Sequence, residues 1–318
     1  MEFDLIDAIR ARVAIARDDV VLGIGDDAAL TRVAPGRQLV ACADTLVAGV
    51  HFPSDTAPED IGWKSLAVNL SDLAAMGGEP AWALLALTLP EADARFVEAF
   101  AAGFAALARA HDVALIGGDT TQGPLSITVT ALGMVPAGEA LTRAGARVGD
   151  AVFVTGTLGD AAGALRLLRD SGKAATHAQI FAHLNRPQPR ITAGHALRGI
   201  ANACIDISDG LLADLGHVCA ASGVGAELEV EALPVSSTLT AAFDAATCRE
   251  LALAGGDDYE LCFTVPAGRA SDVAAVLAQT GCGATRIGRI VAGSGVRVLD
   301  AHGSEVATPR AGWEHFSR

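Results

Sequence analysis

The chain has only two lysines, Lys64 and Lys173, among its 23 basic residues. With a formal net charge of -14, that scarcity argues against nucleic acid or an anionic membrane as a partner, because both call for a basic surface. Long apolar runs are missing too. The longest, near Trp82 to Leu87, falls far short of the ~20 residues of a membrane-spanning helix. The start, Met1-Glu2-Phe3-Asp4, lacks the basic and apolar segments of a signal peptide, so the expected location is cytoplasmic. No two of the six cysteines stand in Cys-x-x-Cys spacing, which argues against structural zinc and for reduced core thiols. Also absent are the Gly-Lys-Ser/Thr of a Walker A loop, a complete Gly-x-Gly-x-x-Gly and the Asp-x-Asp-x-Asp-Gly of an EF-hand.

What the chain has instead is aspartate in short segments flanked by small residues: Gly25-Asp26-Asp27, Asp44-Thr45, Ser71-Asp72, Gly118-Asp119-Thr120, Asp206-Ile207-Ser208-Asp209 and Gly256-Asp257-Asp258. Read as tight turns beside apolar runs, these are hard oxygen donors held near a core, where an uncompensated cluster would repel itself. Divalent cations relieve that repulsion, and Mg2+ in particular combines a few carboxylates with water and substrate phosphates. Nucleotide phosphates are the expected remaining ligands, and arginine, far commoner here than lysine, can grip them with a planar fork.

At 318 residues and 51% hydrophobic, the chain can bury a large core, and its length suggests two domains. Pro136 to Gly145 breaks every periodicity and reads as a linker, giving domains 1–147 and 148–318. Strands are expected at Gln38–Ala43, Trp82–Leu89, Val113–Ile116, Ser126–Val135, Ala151–Thr155, Asn202–Asp206, Gly225–Val230, Tyr259–Val265 and Thr285–Ile290. A helix opens at Pro58-Glu59-Asp60 and closes at Gly77-Gly78, with Trp63, Leu66, Leu70 and Leu73 as its buried face and Asp72 near its C-terminal end. Others are read at Glu91–His111, Gly210–Ala221 and Ala270–Gln279, and after the turn Gly156–Asp160, which either cradles a phosphate or merely reverses the chain. Val68–Asp72 also echoes Ile205–Asp209, each followed after a similar interval by Gly-Gly-Asp, which suggests two related halves with a nucleotide between them.

Seven segments together carry a resemblance: Gly23–Ala29, Asp44–Phe52, Asn69–Gly77, Gly117–Thr121, Leu141–Arg143, Asp206–Leu211 and Gly255–Leu261. In order and spacing, from about Phe3 to Phe316, they resemble the thiamine-monophosphate kinase family, part of the ATP-binding superfamily of aminoimidazole ribonucleotide synthetase. The resemblance implies an α/β (α+β) fold of two domains, an N-terminal mixed sheet with helices that pairs in a homodimer and a C-terminal α/β domain. It implies ATP-dependent phosphorylation of thiamine monophosphate to the diphosphate. By the same likeness Asp27, Asp44, Asp72, Asp119, Asp206 and Asp209 would hold Mg2+. Gly118, Asp119, Arg143 and Ser208 would contact ATP, with Arg143 stabilising the phosphates. His51, Asp257 and Trp313 would form the thiamine phosphate pocket. Two departures stand out: Cys42 and Ala43 occupy positions where hydroxyl side chains are expected, and Asp257 stands where the family pattern has glutamate.

The chemistry agrees with that expectation. A phosphate monoester acceptor is largely dianionic at neutral pH and needs no general base, so none is named. What must be removed is repulsion between the anionic reactants, about 4 kcal/mol per pair of unit charges at 4 Å and an effective dielectric of 20. The rival readings are another ATP-dependent synthetase of the same superfamily and a non-catalytic divalent-metal-binding protein.

Overall fold

In a computed structural model, residues 2–13, 15–171, 178–308 and 312 are described. The chain divides into two compact units, Met1–Leu73 with Gly78–Gly138, and Ala74–Gly77 with Glu139–Arg318. The first contains α1 (Glu2–Val13), β1 (Val20–Leu22), β2 (Leu30–Thr31), β3 (Arg37–Val47), most of α2 (Pro58–Ala75), β4 (Glu79–Leu89), α3 (Ala94–Ala110), β5 (Ala114–Gln122) and β6 (Ser126–Pro136). Its main sheet runs β3-β6-β4-β5, with only β4 and β5 parallel. Alternation makes this sheet two-faced: Ile127, Val129 and Ala131 are buried on one side of β6, while Thr128 and Thr130 on the other are only partly covered.

Helix α2 covers the buried face, its Leu73 lying against Gly133 of β6. It also meets α3 so closely that a Cβ on Gly62 would collide with the Phe100 carbonyl, and one on Gly103 with the Glu59 carbonyl. Held from both sides, α2 is buried almost all round. Leu66 and Leu70 are joined in the interior by Lys64, Asn69 and Ser71, whereas Trp63, expected on the buried face, is only partly covered. Buried polar groups on α2 must therefore find partners. Asn69 Nδ2 donates to the Ser65 carbonyl at 3.0 Å, and Lys64 Nζ donates to the His51 carbonyl at 3.2 Å. Helix α3 starts later than expected, because the Asp93 side chain caps it by accepting from the N–H groups of Arg95 and Phe96.

The second unit holds β7 (Ala151–Thr155), α4 (Asp160–Ser171), α5 (Ala178–Asn185), α6 (Ile191–Leu197), β8 (Ala203–Asp206), α7 (Leu211–Ser222) and β9 (Gly225–Glu229). These are followed by α8 (Ser237–Ala242), α9 (Ala245–Ala254), β10 (Leu261–Val265), α10 (Asp272–Leu277), β11 (Ala284–Val291) and β12 (Gly295–Leu299). Its sheet runs β12-β9-β11-β7-β10-β8, antiparallel except for the β12–β9 pair. Strands β7, β8 and β10 are buried along their whole length, as continuous apolar runs such as Ala-Val-Phe-Val imply. Among the described residues no helix is long and apolar enough to cross a membrane.

Three of the six aspartate segments are not turns. Asp44-Thr45 lies inside β3, Gly118-Asp119-Thr120 inside β5 and Ser71-Asp72 inside α2. Glycine is needed at position 118 because a Cβ there would strike the Leu85 carbonyl of the neighbouring strand, so this glycine marks close strand packing rather than chain reversal. The internal echo dissolves for the same reason. Val68–Asp72 is helical whereas Ile205–Asp209 is a strand end and turn, and Gly-Gly-Asp is a strand in one half and an irregular segment in the other. Short-motif identity does not specify backbone conformation when tertiary packing decides it.

Candidate active site

In the first unit Asp44, Asp72 and Asp119 sit on regular elements, whereas Asp27 and His51 lie in a turn and a loop. Strand β3 is a sheet edge, and the Asp44 N–H is taken by Asn69 Oδ1 of α2 at 3.0 Å. The Cys42 thiol donates to the Asn69 carbonyl at 3.3 Å and packs beside both Asp72 and Asp44. Burial, then the two neighbouring negative charges, push this thiol well above its ordinary range, so Cys42 stays protonated. Asp44 and Asp72 are thereby brought to one locality where strand β3 faces α2.

Asp119 is placed differently. The register aligns Thr45, Thr128, Ala86 and Asp119 across the sheet, and directly paired residues share a face. Asp44, one residue before Thr45, therefore faces the opposite side, and β3 and β5 are opposite edges of the sheet. Asp27 is exposed, and its N–H donates to Asp26 Oδ1 at 2.8 Å, so Asp26 shapes the turn. His51 is fixed by its own loop: Nδ1 accepts the Val47 N–H at 2.9 Å, which leaves the ring proton on Nε2.

In the second unit the candidate residues lie on a turn that one carboxylate organises. Asp214 Oδ2 accepts three consecutive backbone N–H groups, from Ser208, Asp209 and Gly210, each at 3.1 Å. Sequence reasoning missed Asp214. Its signal was an acid in the first turn of the helix that follows Ser-Asp-Gly, the position that the helix dipole favours. Burial, then the charges of Asp209 and Asp206, push the Asp214 carboxyl up to about 7. Asp206 and Asp209 are thus each close enough to Asp214 to repel its charge, while the three N–H groups of the turn are spent on Asp214 rather than left for a phosphate.

A second segment is laced to this turn. The Asp257 N–H donates to the Ser208 carbonyl and the Tyr259 N–H to the Ile207 carbonyl, both at 2.8 Å. Glu260 anchors the start of β10 by accepting from the Arg190 guanidinium and from Thr155 Oγ1. Arg143 is exposed in a segment whose Thr142 carbonyl accepts the Cys204 N–H at 2.9 Å, beside the strand that ends at Asp206. Gly312 lies against this turn, where a Cβ would come within 3.1 Å of the Asp209 carbonyl. Trp313 lies outside the described residues.

The turn Gly156–Asp160 is not built for an anion. Asp258 accepts the Gly159 N–H through both oxygens, at 2.9 and 3.1 Å, Asp160 accepts from Thr157 Oγ1 and Ser236 Oγ, and Gly156 backs onto the Glu260 carboxylate. Among the described residues no three His, Cys, Asp or Glu side chains converge as a ready metal cage. The carboxylates gather instead in small local sets, Asp44 and Asp72 about Cys42 and Asp206 and Asp209 about Asp214.

Residues 25–135 match the family model for AIR synthase related protein, N-terminal domain, and residues 147–301 the model for its C-terminal domain. The chain is 48% identical over 320 residues to the thiamine-monophosphate kinase of Salmonella typhimurium, covering 99% of this chain and 98% of that one. A crystal structure of thiamine-monophosphate kinase from Stenotrophomonas maltophilia is 53% identical, with a TM-score of 0.88 over 93% of this chain and 96% of that one. The structure of AaThiL complexed with AMPPCP and TMP is 34% identical, with a TM-score of 0.77 over 99% of this chain and 97% of its own.

Proposed function

The chain belongs to the thiamine-monophosphate kinase family, and from that premise we propose that it transfers the γ-phosphate of ATP to thiamine monophosphate, giving thiamine diphosphate and ADP. The carrying observation is the full-length likeness to named kinases, joined by the likeness to a solved relative that holds AMPPCP and TMP. The reaction is an in-line displacement with no protein general base, since the acceptor phosphate supplies its own anionic oxygen.

Magnesium fits the donor set. Paired carboxylates of hard oxygen, rather than complete protein cages, are what Mg2+ uses when substrate phosphates and water complete its shell. Burial, then the charges of Asp209 and Asp206, raise the Asp214 carboxyl, and a cation beside Asp206 and Asp209 would relieve the second of these. We assign Asp44 with Asp72, and Asp206 with Asp209, as metal-holding pairs, with Asp27 and Asp119 as further ligands. When bound, Mg2+ neutralises phosphate charge and orients the transferring group. The protein's own part is to present these carboxylates, to grip phosphate oxygens with Arg143, and to contact ATP near Gly118 and Ser208. His51, Asp257 and Trp313 receive thiamine monophosphate. The open sheet face, where Leu39 is 50% exposed and Ala41, Ala43 and Ala86 are exposed, serves homodimer pairing. We place the enzyme in the cytoplasm.

A coupled assay for ADP release, run with Mg2+ and with or without thiamine monophosphate, tests the reading. ADP release that depends on thiamine monophosphate is the expected result. Release that ignores it favours another synthetase of the superfamily, and no release at all favours a metal-binding protein without catalysis.

A further inference from the structure

Two non-glycine residues two positions apart hold left-handed backbone, Asp257 at φ 65° and Tyr259 at φ 51°. A bulky aromatic rarely adopts that conformation, and such strain persists only where the surroundings over-determine it. They do so here. Both backbone N–H groups are spent on the Ile207 and Ser208 carbonyls, Ile207 in turn donates to the Glu260 carbonyl at 2.8 Å, and Gly256 has no room for a Cβ against the Ser208 carbonyl. The next residue, Glu260, is locked by Arg190 and Thr155.

Within this rigid frame the chain's single tyrosine folds its side chain back on its own turn. The Tyr259 phenol donates to Asp257 Oδ1 at 2.8 Å, and Tyr259 is only 7% exposed. An extended strand would carry these alternate side chains side by side along one face, without the sharp reversal that two left-handed residues supply. The strained backbone thus brings a neutral donor to a carboxylate, fixing the rotation of that carboxylate without cancelling its charge. For a substrate with a cationic heterocycle, that is the arrangement which preserves attraction while removing rotational freedom.

We propose that Tyr259 is a positioning residue for substrate recognition, holding the Asp257 carboxylate in the orientation that receives thiamine monophosphate. The proposal rests on the assignment of Asp257 to the substrate pocket. Its test is steady-state kinetics and thermal melting of Tyr259→Phe, Asp257→Asn and the double variant. Removing only the phenol oxygen should raise KM for thiamine monophosphate by about tenfold, the scale of lost second-layer orientation, with KM for ATP and the melting temperature unchanged. The double variant should be no worse than Asp257→Asn alone, because the two groups act as one unit. If Asp257→Asn raises that KM and Tyr259→Phe does not, the positioning role is overturned while the substrate pocket stands. If neither does, Asp257 is not a substrate residue and the proposal fails with that assignment. A Tyr259→Phe protein that melts earlier and loses affinity for both substrates alike has lost packing, which also overturns it.

Discussion

Apart from Asp27 in its exposed turn, the first unit mounts its candidate carboxylates on regular elements, Asp44 and Asp119 within strands and Asp72 within a helix, whereas the second mounts Asp206, Asp209 and Asp257 at a strand end and on irregular turns. Asp44 and Asp119 share the rigidity of the ladder and Asp72 that of buried α2, and Asn69 ties strand β3 to that helix by accepting the Asp44 N–H and the Cys42 thiol. The second unit needs dedicated tethers, namely Asp214 under one turn and Tyr259 within the other. The contrast separates candidate ligand residues from the residues that hold them, and it orders the expected effects of substitution.

The largest effects fall on the carboxylates themselves. Asp44→Asn or Asp119→Asn should reduce kcat by on the order of 10³, the scale of removing a principal electrostatic stabiliser, while circular dichroism stays unchanged. Exposed Asp119 and edge-strand Asp44 pack no apolar core, so loss of the fold is not expected. Activity within a few-fold of wild type at saturating Mg2+ would break the comparison on its first-unit side.

Next come the tethers. Asp214→Ala frees three backbone N–H groups and should raise the Mg2+ concentration for half-maximal activity by about 10- to 100-fold. Asp214→Asn retains a carbonyl acceptor and should recover most of that loss. Titrating Mg2+ against melting temperature gives the same information without turnover. An alanine variant with wild-type Mg2+ dependence would show that the turn holds its shape unaided.

A smaller effect is expected at Arg143. Arg143→Lys keeps the charge but loses bidentate geometry, and should raise KM for ATP by about tenfold, on the scale of one charge-assisted hydrogen bond. Exposed Arg286, which is no candidate for the site, is the control. Equal KM values for ATP in the Arg143→Lys and Arg286→Lys proteins would remove Arg143 from the nucleotide.

The same comparison explains what was legible in the sequence. The start of α2 and most strands of the two main sheets were readable because proline, acids and apolar alternation act locally, but β12 was not foreseen and β3 and β5 run further than expected. The conformation of the aspartate segments was not. Gly-Gly-Asp signals a turn only while Leu85 of the adjacent strand is out of view, and buried Lys64 and Asn69 are intelligible only once α2 is enclosed. Tyr259 was read as the start of a strand, since nothing local announces a positive φ at an aromatic residue. Family likeness picked out the ligand candidates, whereas the residues that hold them required three-dimensional partners to be seen at all.

The smallest expected effect sits away from the candidate site and sharpens the first-unit half of the contrast. Arg17 bridges Asp19 at 2.7 Å and Asp112 at 2.8 Å, and the Trp82 indole donates to Asp19 at 3.1 Å, so this group ties the segment before β1 to the main sheet. The hydrogen bond from Arg17 holds the Asp19 carboxyl below its ordinary value, with the Trp82 bond adding to it against the cost of burial. A depressed carboxyl stabilises the fold above its unfolded pKa of about 3.9, and that stability is lost as pH falls through the lower folded value. Asp19→Asn should therefore cost about 1 kcal/mol at pH 7, the low end for a charged hydrogen bond partly screened by solvent. The gap from wild type should shrink as pH falls below about 4. Denaturant melts at pH 7 and pH 3 measure both numbers. If the ladder alone holds Asp44 and Asp119, kcat and both KM values will stay at wild type in this variant. A kinetic defect would mean that the first unit, like the second, depends on tethers outside its regular elements.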